Sequence, residues 1–375
     1  MNKCKKILVM TCIIMNCFIM SSCFSYKDIN RVLFVTAVMI DVDHNGNPIL
    51  YAEVFKGVRG SASAGAGMDK RILFKGNGKT MFEAVRDMNA IASYKLNWTQ
   101  NKAIIFTQAA AEYGVEDFID FLDRDEELLL RPYIAVYVGD PEKLMKIDIV
   151  QEKYIGLLLV QIIENIKTTS RAITLTFNDF YNQRTFGDKA NVVPIIDIKK
   201  DAIDAKLEIN GGAVIKNDRM ISILERGEGE GFSFLINDIS GGTLEVTNPL
   251  DINKFVTLEI LKSKTKTEVS YDGKIVHLKK QIKVKVDFGE AQKSIVFTKE
   301  NINKIQEQAE KNIEDACNSI FAKYKGLGVD IFDIQEQFDE KYPKIKIQGD
   351  IINKTELKME VKVQIMNIGD TKNFQ

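Results

Sequence analysis

Two stretches in the C-terminal third alternate strictly between apolar and polar residues. Ile282, Val284, Val286 and Phe288 alternate with Lys283, Lys285 and Asp287; Leu357, Met359, Val361, Val363 and Ile365 alternate with Lys358, Glu360, Lys362 and Gln364. Successive side chains of a strand point to opposite faces, so both stretches predict strands with one wet face. Between them the period changes to that of a helix. Ile302, Ile305, Ala309, Ile313, Ala316, Ile320 and Tyr324 form one stripe from Thr298 to Lys325, stopped by Gly326 and Gly328. Such a helix is about 40 Å long and is expected to lie across the sheet that its flanking strands build.

The first half has a different rhythm. Arg31 to Asp41 is almost wholly apolar and β-branched, as in a strand buried on both faces. Asp43 to Asn47 is turn chemistry, and Ile49 to Phe55 reads as the returning strand of a hairpin. Gly57 to Gly67 reads as a surface loop. Arg71 to Lys75 is a short strand, followed by a helix capped near Thr80 with Phe82, Val85 and Ala92 on one face. Ala103 to Thr107 and Arg131 to Val138 predict strands, with an amphipathic helix marked by Val115, Phe118, Ile119 and Leu122 between them. The order strand, helix, strand, helix, strand from 71 to 138 implies a mixed α/β unit. Beyond residue 150 the stripe Ile155, Leu158, Leu159, Ile162, Ile163 and Ile166 reads as the core side of a longer helix.

Three motifs invite chemistry and fail on spacing. Asp41, Asp43, Asn45 and Gly46 match the start of a calcium loop, but its twelfth position falls on Ala52 and its flanks are strands. Gly78-Lys79-Thr80 ends like a phosphate loop, yet Leu73 stands where the first glycine is needed. Gly227-Glu228-Gly229-Glu230-Gly231 lacks the dinucleotide spacing, its acids would repel a pyrophosphate, and it is expected to be a loop. His44 and His277 have no nucleophile motif nearby, and no Cys and His cluster has metal spacing. No catalytic residue, metal site or cofactor is expected.

The N-terminus decides where the chain lives. Lys3, Lys5 and Lys6 precede an apolar run from Ile7 to Met20, and Ser21-Ser22 precede Cys23. This is the layout of a secretory leader over residues 1–22. Its fourteen apolar-run residues span roughly 21 Å, short of the ~30 Å hydrocarbon core, so a permanent spanning helix is disfavoured. The small residues before Cys23 resemble a lipobox, which makes Cys23 the candidate site of lipidation. Processing there removes Cys4, Cys12 and Cys17 and leaves Cys317 without a disulfide partner; it sits among apolar helix positions as a small buried hydrophobe. The 51 basic residues, less three lost with the leader, against 52 acidic ones give the processed chain a charge of about −4. No basic surplus favours nucleic acid.

Taken together, these segments make the chain resemble the Ger(x)C family, the lipoprotein C subunits of spore nutrient germinant receptors. The resemblance begins with Cys23, Phe24, Lys27, Asp28, Ile29 and Asn30 and the strand ending at Asp41; Phe24 stands where the family has tryptophan. It continues through Gly78 to Ala84, Asn101-Lys102 to Gly114, Asp120 to Asp125, Thr176 to Phe180, Asn191 to Asp197 and Asn210 to Met220, then Asp330 to Phe332 and Tyr342-Pro343. The resemblance implies an α+β protein of two or three mixed α/β domains, its C-terminal domain an antiparallel sheet packed by a long helix. The expected divisions are the leader 1–22, an N-terminal domain 23–200, a β-rich segment 201–262 packed with the N-terminal strands, and a C-terminal domain 263–375. It further implies a lipid-anchored, non-enzymatic receptor subunit on the outer face of the spore inner membrane. The implied partners are a membrane-embedded A subunit and a transporter-like B subunit. The competing reading, a lipid-anchored solute-binding protein of an importer, calls for two Rossmann-like lobes around a cleft, which the wet-faced strands near the C-terminus oppose.

Overall fold

In a computed structural model describing residues 31–56, 71–124, 131–166, 173–199, 203–293, 295–367 and 373–374, the apolar run after Arg31 becomes the middle of a large sheet. The leader, Cys23 and Gly57 to Gly67 lie outside the described residues. Strand β1 (Val32–Val42) pairs antiparallel with β2 (Pro48–Lys56) across the turn at Asp43, and β2 pairs with β3 (Ile72–Asn77). The Asp43 carboxylate accepts the backbone N–H groups of Asn45 and Asn47 at 2.8 and 2.9 Å, so its function is to close the hairpin. Helix α1 (Met81–Ile91) then leads to the short β4 (Lys95–Asn97) and to β5 (Ala103–Thr107), both parallel to β1. Helices α2 (Gln108–Tyr113) and α3 (Glu116–Arg124) lead to β6 (Tyr133–Tyr137), parallel to β5.

Three more helices follow: α4 (Pro141–Met145), α5 (Ile155–Ile166) and α6 (Phe177–Gln183). Strand β7 (Ala190–Ile198) joins β6 in parallel, and β8 (Leu207–Lys216) and β9 (Arg219–Leu224) complete the sheet as an antiparallel meander. The order is β3-β2-β1-β5-β6-β7-β8-β9, with β4 beside β1. Both faces are covered, which explains why β1 reads as a continuous apolar run. Val35, Val38 and Ile40 pack with Met88, Phe106 and Phe118 on one side; Ala37 and Met39 pack with Leu158 and Ile163 on the other.

Buried Glu53 ties helix α5 to this sheet. Its carboxylate accepts the N–H groups of Ile155 at 2.9 Å and Gly156 at 3.2 Å and the Thr36 hydroxyl at 2.7 Å, with Arg71 3.6 Å away. The positive end of the α5 dipole thus faces an anion. Burial nevertheless pushes the Glu53 pKa up, against these hydrogen bonds.

The second sheet has the order β10-β11-β12-β14, built from β10 (Thr243–Asn248), β11 (Asp251–Tyr271), β12 (Val276–Ala291) and β14 (Thr355–Ile365); β13 (Ile295–Val296) pairs separately with β15 (Asn373–Phe374). Strand β11 runs through residue 262 unbroken. Helix α7 (Gly229–Ile236) precedes this sheet, α8 (Lys299–Leu327) lies over it, and α9 (Ile334–Lys341) follows. Pairs β10·β11 and β11·β12 are antiparallel, whereas β14 joins β12 in parallel, because a helix the length of α8 carries the chain back to the starting end. Helix α8 is capped by the Thr298 hydroxyl and closed by Gly328 in the left-handed region, so Gly326 falls inside it. Its buried stripe is Ile305, Ala309, Ile313, Cys317, Ile320 and Tyr324. Val192, Val214 and Leu224 of the first sheet enter the same core, so the two sheets share apolar packing.

Two expectations are corrected. Gly227 to Gly231 is not a loop: Arg226–Glu228 is a 3-10 turn and Gly229 opens α7. On α1 the buried side is Met81, Ala84, Val85 and Met88, while Phe82 is 54% exposed.

Candidate interaction groove

The segment Gly78 to Ala84 owes its composition to packing. A Cβ on Gly78 would stand 2.6 Å from the Ala84 nitrogen, so only glycine lets β3 turn directly onto the first turn of α1. Thr80 caps that turn by accepting the Glu83 N–H at 3.2 Å, and the Glu83 carboxylate accepts the Lys79 N–H at 2.7 Å. Lys79 itself is exposed. These contacts make the glycines and Thr80 a helix start, which absorbs the phosphate-loop likeness.

Capping fixes the direction of α1, and its solvent side then faces α3. Between the two helices lies a groove of about 990 Å³, lined by Met81, Phe82, Val85, Leu96, Trp98 and Phe121. The floor is apolar: Leu96, Trp98 and Met81 are buried. The wall carries two reachable aromatic rings, Phe82 and the half-buried Phe121, with centroids 6.4 Å apart edge to face. The Arg86 guanidinium lies 4.6 Å from the Phe82 centroid, and Arg124 pairs with Asp120 at 2.7 Å on the rim. Asp123 accepts the Tyr181 hydroxyl at 3.1 Å, which also pushes the Tyr181 pKa up. An apolar floor, accessible aromatics and a rim of mixed charge are the anatomy of a protein-docking surface.

The groove therefore brings together two segments singled out by resemblance, Gly78 to Ala84 and Asp120 to Arg124. Sequence reading missed its floor. The one available signal was Trp98, the only tryptophan of the chain.

The candidate chemistry elsewhere is structural. His44 is exposed in the first hairpin. His277 Nε2 is 2.9 Å from Asp272 Oδ2, and its Nδ1 is 3.9 Å from Glu356. Ser270 lies directly across from His277 in the β11·β12 register, which assembles a serine, a histidine and an aspartate. Both imidazole nitrogens face carboxylates, so neither is directed at the hydroxyl as a base. Asp272 accepts the Lys274 and Ile275 N–H groups and closes the turn, holding its carboxyl well below the usual range. Cys317 is fully buried, and burial pushes its thiol up to about 12. Among the described residues no group of three His, Cys, Asp or Glu side chains is placed to hold a metal, and no helix is long and apolar enough to cross a membrane.

Comparison with known proteins points one way. Residues 25–198 match the family described as spore germination protein N-terminal domain, and residues 210–369 match the family described as spore germination B3/GerAC like, C-terminal. The chain is 24% identical over 265 residues to spore germination protein GerQC of Bacillus cereus, a match covering 70% of this chain and 73% of that protein. The crystal structure of the GerBC protein superimposes with a TM-score of 0.58 at 18% identity, covering 88% of this chain and 97% of the other, which establishes a common fold.

Proposed function

Because the chain belongs to the Ger(x)C family of spore germination proteins, we propose that it is the non-enzymatic, lipid-anchored C subunit of a nutrient germinant receptor. In this reading Cys23 carries the lipid and holds the folded body to the outer face of the spore inner membrane. Two acyl chains at ~0.8 kcal/mol per buried CH₂ contribute on the order of twenty kcal/mol, enough for stable attachment without a spanning helix. The body then docks, through the groove between α1 and α3, on the membrane-embedded A subunit or the transporter-like B subunit. The supporting observation is that this groove joins two family-resembling segments some forty residues apart around accessible aromatic side chains.

Spores carrying Cys23→Ala test the anchor. The variant is expected in the soluble fraction, with the response to particular nutrients lost as in a deletion strain. A membrane-bound variant with a normal nutrient response would refute the proposal. A large rise in melting temperature with a single amino acid, sugar or nucleoside, combined with normal germination of the deletion strain, would instead support a solute-binding protein.

A further inference from the structure

The outward face of the second sheet carries an unusual block of charge. In β12 the inward positions are Val276, Leu278, Lys280, Ile282, Val284 and Val286, so His277, Lys279, Gln281, Lys283 and Lys285 face outward. The register places Lys283 directly opposite Lys264 of β11, and Lys285 directly opposite Lys262. Cβ atoms of such cross-strand pairs are ~5 Å apart, and like charges directly opposite destabilise a sheet. All four lysines are exposed, and among the described residues none of them forms an ion pair.

Three neighbouring lysines on the same face are paired with carboxylates. Lys266 pairs with Glu268 at 2.6 Å, Lys279 with Glu360 at 2.8 Å, and Lys362 with Glu310 at 3.2 Å. The four facing lysines thus lack the carboxylate partners of Lys266, Lys279 and Lys362, and the block ends where Glu259 faces Asp287, on a chain whose net charge is −1. A β-bulge between Ile260 and Lys262 also leaves Leu261 exposed beside it, at 47%.

We propose that this block is a docking face for anionic phospholipid headgroups. Three features select a lipid surface over an acidic protein. Protein interfaces are depleted in lysine and enriched in arginine and aromatic residues, and the block has neither of the latter. Lysine ammoniums on flexible stems act as point charges, suited to a diffuse array of phosphates. A row of outward lysines on one sheet face presents its charge to a planar partner, with Leu261 available to the interfacial layer. The proposal rests on the membrane-attached reading above and deepens it, placing the second sheet against the membrane that holds the lipid anchor.

The test omits the anchor, so its failure leaves attachment through Cys23 standing. The processed chain, residues 24–375, lacking the acylated cysteine, is sedimented with neutral phosphatidylcholine vesicles and with vesicles containing phosphatidylglycerol. At low salt the anionic vesicles should bind at least tenfold more strongly, given roughly fivefold per lysine near an anionic surface, and high salt should erase the difference. Replacing Lys262, Lys264, Lys283 and Lys285 by Gln should abolish the preference without lowering the melting temperature. The double variant Lys264→Gln/Lys283→Gln should lose at least half of it on a logarithmic scale. Equal binding to both vesicles, or an unchanged preference in the folded variants, would overturn the proposal. Lysine-dependent binding to polyglutamate without a vesicle preference would overturn it in favour of an acidic protein face.

Discussion

Gly231 of α7 lies against the backbone of Ala316 on α8, so closely that a Cβ at position 231 would stand 2.6 Å from the Ala316 carbonyl oxygen. The contact is backbone on both sides, so no side-chain rotation relieves it. The two helices reach this separation because glycine presents only hydrogen there, and the Cys317 thiol lies 3.6 Å from the Gly231 carbonyl in the same contact. Gly231→Ala should therefore push the helices apart and cost about 1–3 kcal/mol. Gly227, where an added Cβ would meet no atom within 4 Å, should accept alanine with little change. Urea denaturation of both variants checks the pair, and equal midpoints would contradict the packing argument.

Lys216 forms a polar link between the sheets. From the end of β8 its ammonium is 2.9 Å from Asp188, 3.0 Å from the Gly328 carbonyl and 3.2 Å from Asp350. Asp188 also accepts the Asp330 N–H at 2.8 Å, so one lysine orders the chain on both sides of the α8 cap. Lys216→Met leaves Asp188 without its cation in a largely buried position and should cost about 1–3 kcal/mol. A melting temperature equal to wild type would show that this link carries no stability.

The relation between sequence and structure differs along the chain for physical reasons. Helix α1 was legible at its start, because Thr80 caps it by accepting the Glu83 N–H while the Glu83 carboxylate reaches back to the Lys79 N–H, all within five residues. Its buried side was less so: Val85 is buried as the periodicity implies, but Phe82 turns toward Phe121, a partner 39 positions away. Helix α7 was hidden because glycines disfavour helix, and the contact that requires Gly231 belongs to a residue 85 positions later. Strand β12 extends beyond its clear alternation because Lys280 occupies an inward position, where its ammonium donates to the Leu235 carbonyl and the Thr267 hydroxyl at 2.7 and 2.9 Å. The groove was half legible, since its two walls resemble family segments, while Trp98 contributes the floor from a connection that showed no pattern.

Asp330 should make stability depend on pH. It is 4% exposed, and burial raises its carboxyl to about 7, although it accepts the Phe332 and Gln335 N–H groups. The folded state thus holds this proton more tightly than the unfolded chain, whose carboxyl titrates near 3.8. Its contribution to stability is fully present below about pH 4, declines as pH rises, and is lost once pH passes about 7. Asp330→Asn removes the titration, so the stability of wild type relative to this variant should fall between pH 5 and 8 by roughly 1–4 kcal/mol. Chemical denaturation across that range measures the difference. A difference independent of pH would mean that Asp330 is already ionised in the folded protein at pH 5.

The groove separates a docking role from a structural one. A fully buried phenylalanine such as Phe118 typically costs about 3–5 kcal/mol on truncation, because it leaves a cavity. Phe82 is 54% exposed and Phe121 half-buried, so Phe82→Ala/Phe121→Ala forfeits mainly their edge-to-face contact and partial burial, about 1–2 kcal/mol. If accessible aromatics anchor a neighbouring subunit, the same double variant should still accumulate at the spore membrane yet lose most of the nutrient response. Truncating an exposed apolar residue outside the groove, Ile252, should leave that response intact. The expected result is a folded body, membrane-bound, with its melting temperature lowered by a few degrees and with germination impaired as in the deletion strain. Normal germination of spores carrying the folded double variant would remove the groove from the docking interface, because no other pair of accessible aromatic rings joins the two resembling segments among the described residues.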